Sequence, residues 1–225
     1  MDNTIFKNSK VLVAGGTGMI GMQLVKLLLE RGASVRIASL DDPKRADEKT
    51  EFIRVDLRNL DNCMRACEGM DYVFNLLCIK GSPAATSKKP ASFFVPMIMF
   101  NTNLAEAARA AGVKWYMYTS TVGVYPPAQI FHEDDVWKGF PSENDKYAGW
   151  AKRMGELQLE SYRIEYNFNN FSIVRPANVY GPYDNFNPKN SMVIPSLIKR
   201  AVDGEDPFVV WGDGTPVRDF INSRD

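Results

Sequence analysis

The segment Gly15-Gly16-Thr17-Gly18-Met19-Ile20-Gly21 constrains this chain more than any other. It directly follows the apolar run Val11-Leu12-Val13-Ala14 and leads into an amphipathic stretch, residues 22–31. That order reads as a buried strand, a glycine turn and a helix beginning near Met19. Three glycines spaced three apart let the backbone turn sharply, approach a diphosphate closely and pack the helix on the strand. The helix start then presents free N–H groups and the positive end of its dipole. Gly15, Gly18, Met19, Ile20 and Gly21 are the expected contacts to a dinucleotide. A glycine-rich turn without a ligand is the plainer alternative.

Strand-like and helical runs alternate after this junction. Residues 10–14 lead to the helix that Gly32 stops. Residues 35–38, 52–55 and 72–77 read as strands, the last apolar throughout, as in a strand covered on both faces. Residues 61–67 read as a short helix and 94–111 as a long one, ended by Gly112. Residues 114–119 form a fifth strand and 171–175 a sixth, with a helix inside 144–166 between them. A helix at 191–203 and a short strand at 208–210 complete the pattern. The segments 41–50 and 80–90, rich in breakers and charge, read as loops. Such alternation implies an α/β fold, a doubly wound parallel sheet with helices on both faces. Ligands of such sheets sit at the carboxyl ends of the strands.

The bulk properties narrow the partners. A chain of 225 residues with 45% hydrophobic residues fills one large domain, or a domain with a small appendage. Lys+Arg and Asp+Glu both number 27, so no bulk charge favours a nucleic acid or an acidic membrane. The apolar stretches are too short for a membrane span, and Met1-Asp2-Asn3-Thr4 lacks the order of a signal peptide. The three cysteines match no zinc spacing. Cys63 and Cys67 are expected on one helix face as buried thiols, with a redox pair as the alternative. Reduced thiols fit a cytoplasmic protein. The single histidine, His132, stands beside Glu133 and Asp134 as a surface residue, which argues against a multi-histidine metal site or a Ser-His-Asp site. No metal is expected.

Further motifs follow in order. Tyr118-Thr119-Ser120-Thr121-Val122-Gly123-Val124-Tyr125-Pro126 ends the fifth strand. Lys146-Tyr147-Ala148-Gly149-Trp150-Ala151-Lys152-Arg153-Met154-Gly155-Glu156 lies in the next helix. Arg175-Pro176-Ala177-Asn178-Val179-Tyr180-Gly181-Pro182 closes the sixth strand, and Gly212-Asp213-Gly214-Thr215-Pro216-Val217-Arg218-Asp219-Phe220 comes near the end. On these residues the chain resembles the extended short-chain dehydrogenase/reductases, the nucleotide-sugar epimerase/dehydratase group, from Val11 to Phe220. The resemblance implies a Rossmann-type domain over residues 1–176 and a small, incomplete substrate-binding lobe over 177–225. It also implies NAD as cofactor, with NADP possible, a nucleoside-diphosphate sugar as substrate, and a homodimer. The expected activity is epimerisation or a related oxidoreduction, hydride passing between sugar and nicotinamide. A catalytically silent NAD(P)-binding module, and a reductase of another small carbonyl compound, are the alternatives.

The resemblance also assigns residues. The family uses Tyr-x-x-x-Lys, one helical step that puts both side chains on one face, where the ammonium lowers the phenol pKa. Lys152 takes the lysine role, which includes the cofactor ribose, and Thr121 takes the hydroxyl role at the substrate oxygen. The tyrosine position is Ala148, and the nearest phenol is Tyr147, five residues before Lys152 and roughly 140° away around an ideal helix. A helix starting at about Gly149, a π-bulge, or an absent base would each account for this. With Tyr147 as base, Thr121, Tyr147 and Lys152 handle the proton. Without it, Thr121, Lys152 or a substrate-bound water must do so. The acidic pair of the family's dehydratases falls on Val122 and Gly123, which disfavours dehydration.

Cofactor and substrate positions follow likewise. Ser39 takes the place at the end of the second strand, with Asp41 and Asp42 just after it. An acidic group there favours NAD, and Arg36 is a possible partner for a 2′-phosphate. Asp56 and Leu57 fit the adenine contact, Asp56 being alternatively a helix cap. Leu76 and Leu77, with Cys78, end the fourth strand where the backbone lines the cofactor, or where they are plain core. Pro176 borders the nicotinamide and Asn178 the substrate. Arg218 matches an arginine on the diphosphate, with an ion pair to Asp219 or Asp213 as the alternative. Trp150 and Trp211 read as packing residues, and Met97 and Met99 as core.

Overall fold

The computed structural model describes residues 4–79, 81, 83–187, 190–210 and 212–225. Six strands form one sheet: β1 (Lys10–Ala14), β2 (Ser34–Ser39), β3 (Glu51–Arg54), β4 (Tyr72–Asn75), β5 (Trp115–Thr119) and β6 (Phe171–Val174). Their order is β3-β2-β1-β4-β5-β6, and every neighbouring pair is parallel. The order reverses between β1 and β4, so the crevice at their carboxyl ends is the place where such a sheet takes a ligand.

Alternation along β1 sorts the two faces. Val11 and Val13 point to one side, where Val25 and Leu28 of α1 (Met19–Glu30) cover them with Val35 and Ile37. Leu12 and Ala14 point to the other side, into the larger core. That core is closed by α2 (Leu60–Cys67), α4 (Pro90–Ala110) and α5 (Lys146–Tyr166), through Cys63, Cys67, Met97, Leu104 and Leu159 among others. Helices thus lie on both faces of a doubly wound sheet, as expected.

The differences have local causes. Residues 83–88 of the breaker-rich segment form a short helix, α3 (Pro83–Lys88), and Lys80 lies outside the described residues. Helix α4 begins at Pro90 rather than Phe94, because a proline at the first helical position gives up an N–H that has no partner there. Met97 is buried while Met99, two residues on, faces outward with 42% exposure, so Met99 is not core. The strand expected at residues 208–210 does not form. Phe208, Val209 and Val210 are exposed and have no ladder partner. Instead β7 (Asn178–Tyr180) pairs in parallel with β8 (Phe220–Asn222), and α6 (Val193–Val202) lies between them in sequence. Trp211 falls outside the described residues.

Candidate active site

At the crevice the glycine turn is shaped as its sequence demands. Gly15 has φ +81°, and a Cβ there would stand 3.3 Å from the Leu76 carbonyl oxygen. A Cβ on Gly21 would stand 2.3 Å from the Gly15 oxygen, so only glycine lets α1 close on the turn. Gly18 caps α1 without a side-chain bond, and no acidic residue occupies the first turn. The amides of Met19, Ile20 and Gly21 therefore have neither an intrahelical partner nor a capping side chain. This donor set fits a diphosphate.

The neighbouring rim is built from β2 and the turn. The Thr17 hydroxyl donates to Asp41 Oδ2 at 2.6 Å and lies 3.0 Å from Ser39 Oγ, while the Asp41 amide donates to Ser39 Oγ at 3.1 Å. A carboxylate is thereby tied to the glycine turn. Arg36 is not available to a phosphate here. Its Nε donates to Glu51 at 2.8 Å, and its Nη1 to the carbonyls of Ala66 and Glu68 at 3.0 Å each. Asp56 is gripped by Arg58, whose guanidinium holds its carboxyl below the usual range. Asp56 does not cap α2; Asn59 does, accepting from the Asn62 amide at 3.2 Å. Leu57 is buried beside these residues. Strand β4 ends at Asn75, so Leu76, Leu77 and Cys78 follow the strand rather than end it. The Leu77 amide donates to Asn75 Oδ1 at 3.1 Å, and Asn75 in turn donates to Tyr116 and Asn101 in the core.

Lys152 is the central side chain. It is 3% exposed, and its Nζ donates to the Thr119 carbonyl at 2.7 Å and the Leu77 carbonyl at 2.9 Å. Those two carbonyls end β5 and follow β4, so the ammonium stands at the crevice. Burial lowers its pKa, and the charges of Cys78 and Glu156 oppose that. Thr119 Oγ1 is buried there without a hydrogen-bond partner. Thr121 begins a tight turn, Val122–Val124, and its Oγ1 accepts from the Gly123 amide at 3.2 Å.

Tyr147 is not brought onto the Lys152 face. Helix α5 is regular from Lys146, so neither a start at Gly149 nor a π-bulge redirects the side chain. The Tyr147 ring packs edge-on to Phe94 at 6.0 Å and is 41% exposed. Ala148, four residues before Lys152, takes the shared face and packs on the core.

The remaining expected positions are partly engaged. The Pro176 carbonyl accepts from the Val122 amide at 3.1 Å, joining the Thr121 turn to the end of β6. Asn178 Nδ2 donates to the Asp219 carbonyl at 2.9 Å, which ties β7 to β8. Arg218 is exposed, bonds its neighbour Val217 through Nη1, and forms no ion pair with Asp213 or Asp219 among the described residues. Cys63 and Cys67 are buried thiols pushed up to about 12 by burial, which makes a redox pair unsuitable. His132 is exposed, and no metal-binding cluster occurs among the described residues.

Sequence reasoning missed four charged residues at this site. Arg153 is 1% exposed, donates to the carbonyls of Val124 and Gly139 at 2.7 Å each, and has its guanidinium carbon 5.5 Å from the centre of the Trp137 ring and 5.1 Å from that of Trp150. The Asp145 side chain occupies the space that a Cβ on Gly123 would enter, 3.2 Å away. Glu156 forms a buried pair with Arg175. Charge alone in the sequence does not mark such residues, since most Arg, Asp and Glu are solvated.

The sheet order, the uncapped glycine turn and the buried lysine at the strand ends define a Rossmann-type dinucleotide-binding protein of the extended short-chain dehydrogenase kind. Residues 11–225 match the NAD dependent epimerase/dehydratase family, and the chain belongs to that family. It is 31% identical over 230 residues to GDP-L-fucose synthase 1 of Arabidopsis thaliana, covering 97% of this chain and 67% of that protein. It is 29% identical over 227 residues to GDP-mannose 3,5-epimerase of the same plant, covering 95% and 58%. Among solved structures it is similar to a UDP-N-acetylglucosamine 4-epimerase from Methanobrevibacter ruminantium M1 in complex with UDP-N-acetylmuramic acid. The TM-score there is 0.84 at 28% identity, covering 97% of this chain and 70% of that one. The chain spans about two thirds of the length of the GDP-L-fucose synthases it matches and less of the GDP-mannose 3,5-epimerases.

Proposed function

We propose that the protein is an NAD(P)-dependent epimerase or oxidoreductase of a nucleoside-diphosphate sugar. The observation that carries this is Lys152, buried at the crevice beside an α1 N-terminus that no side chain caps. The relatives support the substrate class, being proteins named for GDP-linked sugars. Residues 1–176 serve as the cofactor-binding domain and 177–225 as part of the substrate region.

A nicotinamide, when bound, supplies the hydride acceptor and donor. The chain supplies the rest. The free amides of Met19, Ile20 and Gly21 hold the diphosphate, with Gly15 and Gly18, whose own amides donate to the Ala38 and Gly15 carbonyls, giving it close approach. Asp41 and Ser39 hold the adenosine ribose, and Asp56 and Leu57 flank the adenine. The backbone of Leu76, Leu77 and Pro176 lines the nicotinamide end. Lys152 holds the second ribose, and the Thr121 hydroxyl binds the substrate oxygen that gains or loses a proton. Ala148 supplies no phenol, so a substrate-bound water relays that proton between Thr121 and solvent. Arg218, whose guanidinium is exposed, takes the substrate diphosphate, and Asn178 borders it. The Asp41 carboxylate, fixed by Thr17, favours NAD over NADP by repelling a 2′-phosphate.

We further propose a cytoplasmic protein without nucleic-acid or membrane partners, a reading that the equal numbers of basic and acidic residues support. Exposed Val95 and Met99 on α4 and Leu157 on α5 support a homodimer through these helices.

The test is turnover. The protein is incubated with NAD or NADP and a panel of UDP-, GDP- and dTDP-linked sugars, and products and reduced nicotinamide are followed. An epimerised or oxidised sugar is expected. Tight dinucleotide binding without product on any sugar overturns the enzymatic reading. It would favour a silent binding module, the reading that Ala148 on the Lys152 face supports.

A further inference from the structure

Four residues beyond Lys152, on the same face of α5, stands Glu156, and nothing in the proposed chemistry uses a carboxylate there. It is 4% exposed. Its Oε1 accepts from the Ser120 hydroxyl and from Arg175 Nε at 3.0 Å, and its Oε2 accepts from Arg175 Nη2 at 2.8 Å. Ser120 directly precedes Thr121, and its amide donates to the Val174 carbonyl at 2.8 Å. Arg175 directly precedes Pro176. Its remaining Nη1 reaches the Tyr125 hydroxyl at 3.1 Å and the Glu133 carbonyl at 3.0 Å. One carboxylate therefore meets the side chains that directly follow β5 and β6.

Stability alone does not account for this arrangement. A buried ion pair is often no more stabilising than an apolar pair of the same shape. What the pair adds is fixed geometry, since a bidentate fork holds the guanidinium in one orientation.

We propose that Glu156 is a positioning residue for Lys152 and Thr121. Through Ser120 it fixes the turn that carries Thr121. Through Arg175 it fixes the end of β6, and its own helix carries Lys152. The three segments are held as one frame. This rests on the reading of Lys152 as the cofactor-holding lysine.

Electrostatics gives the frame a measurable signature. Lys152 is faced by Glu156 from its own helix, by Cys78 from the segment after β4 and by the Tyr118 ring from β5, with Nζ 5.1 Å from that ring's centre. Glu156 is faced by Ser120, Arg175, Arg153 and Tyr118. Its negative charge favours the ammonium that burial disfavours, and Arg175 partly cancels that charge.

The experiment is a fluorescence titration of the full chain with NADH, and separately with NADPH, over a range of alkaline pH. In the wild type, affinity falls as Lys152 loses its proton. Glu156→Gln removes the supporting charge and moves the midpoint down by about one pH unit. Arg175→Gln leaves Glu156 uncancelled and moves it up. Ser120→Ala leaves the midpoint in place and weakens binding by about fivefold at every pH. A purely structural role would weaken binding without moving the midpoints in opposite directions. Midpoints of folded Glu156→Gln and Arg175→Gln that stay unmoved, or move the same way, overturn the proposal. If circular dichroism shows that Glu156→Gln does not fold, Arg175→Gln decides: an upward shift supports the proposal and an unmoved midpoint overturns it. A wild type that binds neither dinucleotide overturns the cofactor reading and this proposal with it. Normal wild-type binding with unmoved midpoints overturns this proposal alone.

Discussion

The Lys152 ammonium donates to the Thr119 carbonyl across 2.7 Å, joining the middle of the α5 N-terminal half to the last residue of β5. The same nitrogen reaches the Leu77 carbonyl just after β4, so one charged group joins the carboxyl ends of the neighbouring strands β4 and β5. These two carbonyls use two of the three ammonium hydrogens, and no carboxylate pairs with the group among the described residues.

Lys152→Met is expected to weaken NADH binding by at least about tenfold, since a hydrogen bond from a charged donor contributes about 1.5–3 kcal/mol. Fluorescence titration measures this. Unchanged affinity would remove Lys152 from the cofactor site.

The displaced phenol gives a paired prediction. Tyr147→Phe should reduce turnover less than about tenfold, because the ring packs on Phe94 and does not share the Lys152 face. Ala148→Tyr places a phenol on that face and should raise turnover by about a hundredfold, the usual scale of general acid–base catalysis. Steady-state rates on the best sugar of the panel decide. A collapse of activity in Tyr147→Phe would restore Tyr147 as the base.

Coenzyme choice should turn on the carboxylate bound to Thr17. Asp41→Asn removes the charge that repels a 2′-phosphate and should improve NADPH binding relative to NADH by about tenfold. The ratio of the two dissociation constants is the measurement. An unchanged ratio would place the 2′ position elsewhere.

Gly149 sits under a steric limit. A Cβ there would stand 2.4 Å from the Gly123 carbonyl oxygen and 2.8 Å from Pro141. Gly149→Ala should destabilise the fold by about 1–3 kcal/mol through overpacking. Urea denaturation checks this, and turnover should fall as well because the Thr121 turn is displaced.

Acid stability should depend on Glu106. It accepts from the Tyr162 hydroxyl at 2.6 Å and pairs with Arg109, and the Arg109 bond holds its carboxyl below the ordinary 4.5. A depressed folded value means the contribution is complete above about pH 4.5 and is lost as pH falls through the folded value. Glu106→Gln should therefore flatten the acid side of the stability curve while lowering its neutral plateau. Denaturation midpoints between pH 6 and pH 3 (about this range) measure both, and parallel curves would sink the assignment.

What the sequence made legible follows from where its signals are local. The glycine turn, the apolar β1 and the helix stop at Gly32 are written in adjacent residues, and the structure has them in place. The strand at 208–210 failed because a strand needs a neighbour, which no local pattern reports. Tyr147 was ambiguous for the opposite reason: one residue of helical phase decides its direction, and Gly149 suggested a looser start than α5 has. The Glu156–Arg175 pair spans 19 residues, and nothing in either neighbourhood singles it out.

Cys78 is exposed just after Leu77, while Cys63 and Cys67 are buried. A maleimide dye applied to the folded chain would thus attach once, a few ångströms from where Lys152 meets the backbone. With a coenzyme bound as proposed above, labelling is expected to slow in proportion to the fraction of molecules occupied, which would make the thiol a reporter of the crevice.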